Sequence, residues 1–226
     1  MNIDLLSLIG GKKINKIMHY VRFNICYKVQ ILDLILMILL VIINLTGLCY
    51  ANKFTSYIIY FLIRAFVLSF LSVYIYLGYY KFGNIMNNFD FNKNLSYAII
   101  LRLFYPLLFF GWNNLIKFFG IVVSLIIMFF LFRAFDYIKE NIHTETAKLS
   151  KYYRYSFIAL TISLIGHLLT FSLYNIGLDS IGTVISTIGW VAQTIFCLII
   201  IYWNLRLFKN LGLKYDTNLL PNVKKL

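Results

Sequence analysis

Apolar residues in this chain gather in six long runs, residues 29–50, 57–80, 95–112, 115–132, 157–174 and 181–203, separated by more polar connections. A helix needs about 20 predominantly apolar residues to cross the hydrocarbon core of a bilayer. Each run approaches that length, so the pattern predicts six transmembrane helices and leaves almost no soluble domain. Ahead of the first run, Ile14, Ile17, Met18, Val21 and Ile25 recur at helical spacing, while Lys13, Lys16, His19 and Arg22 occupy the other sides. This spacing predicts a basic amphipathic helix lying in the membrane interface, with Gly10-Gly11 setting its start. The expected architecture is an all-α integral membrane protein, a bundle of six transmembrane helices preceded by that interfacial helix. It divides into a cytoplasmic N-terminal segment (1–28), a transmembrane domain (29–205) and a basic tail (206–226).

Most connections are short, which makes successive spans antiparallel neighbours. Two are longer. The Asn-rich stretch 84–94 has no apolar period and reads as a loop. Residues 133–156 mix charges of both signs and contain neither Pro nor Gly, so spans four and five are expected to continue as helix beyond the bilayer surface.

Composition sharpens this reading. Hydrophobic residues make up 61% of the chain and charged residues 13%, too few polar groups to cover a water-soluble surface. The abundance of Tyr and Phe follows a general compositional bias toward Phe, Tyr, Ile, Asn and Lys, and carries little functional weight. A net charge of +13 would suggest nucleic acid as a partner in a soluble protein. Here 17 of the 21 Lys and Arg residues fall in the N-terminal segment, the connections after spans two and four, and the tail. The positive-inside rule then places both termini on the cytoplasmic side of a multi-pass protein. The basic residues meet anionic lipid headgroups, and nucleic-acid binding is unnecessary to explain them. Cys26, Cys49 and Cys197 lie at different depths, so no intramolecular disulfide is expected. The first run is longer than a signal-peptide core and reads as a retained signal anchor.

Ionisable groups in hydrocarbon are costly and ordinarily face the bundle interior. Besides Lys117 at the start of span four, four fall inside the runs: Asp33, Arg64, Arg102 and His167. Asp33 and Arg102 enter from the same side to similar depth and are a reasonable pair; the competing reading has each snorkel to its own water. Arg64 and Asn44 meet at comparable depth on consecutive spans, again with snorkelling as the alternative. On span five, Ser156, Ser163, His167, Thr170 and Tyr174 share one face. On span six, Gly182, Ser186, Gly189, Gln193, Cys197 and Asn204 share another. The small residues Gly182, Ser186 and Gly189 form a helix-packing seam, and His167 and Gln193 arrive together near the midplane as possible hydrogen-bond partners. In the connection 133–156, Asp136, Glu140 and His143 share a helix face, but one E-x-x-H spacing is insufficient for a di-metal site, and no metal or cofactor is expected.

No nucleophile-base grouping, phosphate loop or zinc motif occurs, so catalysis is not the expected role. The leading expectation is a small transport-type or pore-forming bundle in which the ionisable residues line a polar interior. The alternative is a non-catalytic subunit or scaffold, assembled with partner membrane subunits or as a homo-oligomer. A membrane-embedded enzyme acting on lipid ranks third.

Overall fold

A computed structural model describes residues 3–45, 66–106, 114–138, 144–173 and 179–216, and among these residues the chain forms six helices. They are α1 (Ile3–Leu45), α2 (Leu68–Ile85), α3 (Phe89–Phe104), α4 (Asn114–Asp136), α5 (Thr144–Leu173) and α6 (Asp179–Asp216). Three carry segments long and apolar enough to cross a membrane, Phe118–Asp136, Glu145–Ser172 and Asp179–Leu213. Each helix packs on its neighbours in sequence, and α1 also packs on α6, so the bundle closes into a ring. Its outer surface is apolar on every helix: Ile35, Phe70, Ile100, Phe129, Ile162 and Ile195 all face outward. Such a surface is stable against lipid and unstable against water.

α1 departs from the sequence expectation. The helix begins at Ile3 and runs unbroken through Gly10-Gly11 to Leu45, 43 residues or about 65 Å at helical rise. No break separates the amphipathic segment from the first apolar run. Met18, Val21, Ile25, Leu32, Ile35, Leu39 and Ile42 form one outward stripe that crosses the expected boundary. Two glycines cost about 1 kcal/mol each in a helix interior, too little to stop a helix favoured on both sides.

The Asn-rich stretch is also shorter as a loop than its composition suggests. α2 ends in a Schellman turn: Asn88 N donates to Gly83 O (3.1 Å), Asn87 N donates to Asn84 O (3.2 Å), and Asn87 takes the left-handed conformation at φ 52. Asn88 then caps α3, its side chain accepting a 2.9 Å hydrogen bond from Phe91 N. Helix resumes at Phe89, because Phe91, Leu95 and Ala98 are buried at i, i+4 and i+7. Asparagines mask that period, since their side chains here serve the backbone rather than solvent. At its other end α3 stops at Phe104, before Pro106, which has no N–H to return to the Arg102 carbonyl. The expected extension of spans four and five past the apolar runs is observed: α4 reaches Asp136 and α5 starts at Thr144.

The core lies toward one end of the ring, the end carrying the turn at 86–88. Phe23 and Cys26 of α1, Tyr79 and Phe82 of α2, Phe91 of α3, Phe135 of α4, Leu149 and Tyr153 of α5, and Phe208 of α6 pack there as one cluster. Tyr79 is its hub, edge-on to Phe135 at 5.0 Å and stacked with Phe208 at 5.4 Å between ring centroids. Asn88 Nδ2 donates to the Tyr137 carbonyl (3.4 Å), and Arg154 pairs with Asp136 (2.7 Å), tying the two turn regions at this end to their helices.

Candidate functional site

Beside the aromatic cluster, deeper along the bundle axis, the interior turns polar. On α1, Gln30 and Asp33 are one helical turn apart and face inward, Gln30 fully buried and Asp33 9% exposed. On α2, Ser69, Ser72, Tyr76 and Tyr79 fall on one face at spacings of three and four. α5 adds Tyr153 and Ser156, and α6 adds Cys197 and Asn204, one turn apart from the Ile200 between them. Arg102 of α3 completes the set.

These side chains are joined in a directed hydrogen-bond chain. Gln30 Nε2 donates to Asp33 Oδ2 (2.9 Å), and Asn204 Nδ2 donates to Gln30 Oε1 (3.0 Å). The Tyr79 hydroxyl donates to Asn204 Oδ1. A tyrosine has a single hydroxyl proton, so the 3.2 Å contact between the Tyr79 and Tyr153 hydroxyls is donated by Tyr153. Every donor therefore points toward Asp33, through residues of α5, α2, α6 and α1. In a low-dielectric interior such a chain polarises in one sense, which strengthens its bond to the terminal acceptor.

Arg102 reaches into the same interior from α3. Its charge acts on Asp33 across the interior, while Nη2 donates to Ser72 Oγ (3.3 Å) and the guanidinium lies 4.8 Å from the Tyr105 ring centroid. Ser72 in turn donates to the Leu68 carbonyl at 2.7 Å. Arg102 Nε and Ser69 Oγ are buried without a hydrogen-bond partner, leaving donor and acceptor capacity inside the bundle. Cys197 feels both Asp33 and Arg102, and Ser156 stands beside its thiol. The arrangement thus gathers one carboxylate, one guanidinium and several hydroxyls within an apolar shell. Among the described residues no group of His, Cys, Asp and Glu suits a metal ion.

The α5–α6 hairpin forms a second polar element. Gly166, Gly182 and Gly189 each lie against partner backbone, so that an added Cβ would strike Ser186, Thr170 and Ser163 respectively. All three contacts fit one antiparallel register. His167 turns into this seam, but its partner is Ser186 rather than Gln193: Nδ1 lies 2.7 Å from Ser186 Oγ and 2.8 Å from the Ser163 carbonyl. Gln193 lies farther along α6, beyond reach of a residue held at Ser186, and its Nε2 donates to Cys197 Sγ (3.1 Å).

Of the residues singled out in the sequence, Arg102 acts electrostatically on Asp33 while bonding Ser72, His167 joins Ser186 and the glycine seam, and Gln193 connects to Cys197. Arg64 lies outside the described residues, as do Glu140, His143 and Tyr174. Asn44 lies within α1, but its side chain is outside those described. Sequence reasoning missed Gln30, Tyr76, Tyr79 and Tyr153. The i, i+3 pairing of Gln30 with Asp33 and the single polar face of α2 were the available signals, and the general abundance of Tyr obscured the second.

Comparison of the chain with protein-family models, with curated proteins and with solved structures finds no match.

Proposed function

We propose that this chain is a small transport-type membrane bundle of six spans with both termini cytoplasmic, moving a small solute or ion by way of its polar interior. One observation supports this reading above the others: Asp33 is buried inside a bundle whose outer surface is apolar, within electrostatic range of Arg102 on α3. Anchoring alone does not require charge in hydrocarbon, and charge placed there marks solute and ion pathways in membrane proteins. The buried, unpartnered Arg102 Nε and Ser69 Oγ add capacity that the protein itself leaves unused. Basic residues at the end carrying the 86–88 turn favour the cytoplasmic assignment of that end, and the outward stripe of α1 favours a helix that continues from the membrane into the interface.

The test is flux in lipid vesicles containing the purified protein. Stopped-flow measurement across a panel of small ions and polar solutes should find at least one that crosses native vesicles faster than empty ones, with Asp33→Asn and Arg102→Gln both abolishing the difference. Thiol labelling of cysteines introduced near residues 54, 113 and 178 should report the side opposite the termini.

The competing reading, a non-catalytic subunit, draws on the glycine seam of α5 and α6, since close helix packing of this kind serves assembly equally well. Absence of flux together with a stoichiometric membrane partner after purification in mild detergent would favour it.

A further inference from the structure

We infer that Asp33 is a proton-binding site whose occupancy controls how tightly α1 packs against α2 and α6. The directed chain carries this inference. All its donors are aimed toward a group that, as a carboxylate, only accepts. Protonation of Asp33 removes the charge that polarises the chain and places an O–H donor on the acid. If that proton sits on Oδ2 it opposes the Gln30 amide donor; if it sits on the other oxygen, the bond from Gln30 falls from charge-assisted to neutral, roughly half its strength. The attraction of Arg102 for Asp33 is lost in either case.

The groups around Asp33 specify a proton rather than a bulkier ligand. Among the described residues, Gln30 of α1, Tyr76 of α2, Arg102 of α3 and Cys197 of α6 act on it directly, and Asn204 of α6, Tyr79 of α2 and Tyr153 of α5 follow in turn along the hydrogen-bond chain beyond Gln30. Asp33 is the sole carboxylic acid among them. Its contact with Gln30, and Gln30 with Asn204, is made atom to atom, so a proton is accommodated without displacing a side chain. Two of the linking groups are amides, which do not hand protons onward as hydroxyls do. The chain therefore senses the proton at its end and does not conduct it.

Cys26 is a built-in reporter. It lies one to two turns before Gln30 and Asp33 on α1, fully buried, with its Sγ pressed against Gly78 of α2 beside Phe208 of α6. Loosening α1 from α2 and α6 exposes this thiol.

The experiment uses the full chain in lipid vesicles and dipyridyl disulfide, which reacts with thiols in acid as well as at neutral pH. Modification at Cys26 is followed by peptide mass spectrometry and normalised to the same reaction on an unstructured peptide. The normalised rate is expected to rise by about tenfold or more between about pH 8 and about pH 5. In Asp33→Asn it should be fast at both, whereas Asp33→Glu, which retains a proton site, should keep a pH response. An unchanged rate across this range in the native chain overturns the inference, as does a native-like pH response in Asp33→Asn. Should Asp33→Asn fail to fold, hydrogen exchange along α1 of the native chain decides: amides around residues 23–33 must lose protection in acid beyond the intrinsic rate change, and if they do not, the inference falls. No solute is involved, so the outcome is independent of whether flux is found.

Discussion

Asn204 and Gln30, 174 residues apart in the chain, are joined by a 3.0 Å hydrogen bond in which Asn204 Nδ2 donates to Gln30 Oε1. The bond fastens the last helix to the first. α1 and α6 are the first and last of the described helices, so this polar contact sits at the joint that closes the ring.

Replacing Asn204 by Leu leaves Gln30 Oε1 without its donor and the Tyr79 hydroxyl without its acceptor. The expected loss is about 2–4 kcal/mol, one to two unsatisfied buried groups. Adding Gln30→Leu should recover part of it, with a coupling of roughly 0.6–1.7 kcal/mol as for other hydrogen bonds within membranes. Thermal unfolding of the four species in mild detergent measures this, and strict additivity would rule out the coupling.

Gly166→Ala and Gly189→Val should each separate α5 from α6, because the added carbon meets backbone that cannot rotate away. Gly120 and Gly212 have open space where a Cβ would stand. Gly120→Ala and Gly212→Ala should therefore be neutral or stabilising by up to about 1 kcal/mol from helix propensity alone. The contrast in melting temperature between the two pairs tests whether close approach, rather than glycine content, holds the hairpin.

Asn88→Ala removes both the cap of α3 and the bond to the Tyr137 carbonyl. A loss of about 1 kcal/mol is expected, with hydrogen exchange accelerated in the first turn of α3 and little altered in α6.

His19 lies on α1 ahead of the first apolar run. Partial burial, and after it the positive charge of Lys81, hold its pKa below the usual histidine range. The unfolded chain therefore takes up this proton first as pH falls. The contribution to stability is complete above about pH 6.5 and is lost progressively below it, as the solvent-exposed histidine of the unfolded state ionises. Because His19 is largely solvated, the effect is small. His19→Gln should lessen, not abolish, the decline in melting temperature between about pH 7 and about pH 5; an unchanged decline would argue against this assignment.

Helical class, and the presence of helices long and apolar enough to cross a membrane, were legible in the apolar runs because both depend on length and hydrophobicity, local properties of the sequence. The glycine seam was legible for a similar reason: small residues at helical spacing mark a close approach whatever the partner turns out to be. The partner itself was not. His167 meets Ser186, not Gln193, because the register of α5 on α6 is set jointly by Gly166, Gly182 and Gly189, and Gly166 was not part of the face identified from sequence.

The sequence by itself determined that Asp33 and Arg102 would be costly in hydrocarbon, and left open whether they pair inside the bundle or snorkel to water. It determined as well that α2 carries Ser69, Ser72, Tyr76 and Tyr79 on one side, a matter of helical periodicity. Only the tertiary structure decided that this side, the inner face of α1 and Asn204 of α6 converge, and that their donors all run toward Asp33. The physical reason is that hydrogen-bond direction depends on which groups meet and on how many protons each can give. The number of protons follows from residue type, but which groups meet is not a property of one helix and is settled when the ring closes and α1 comes to rest on α6.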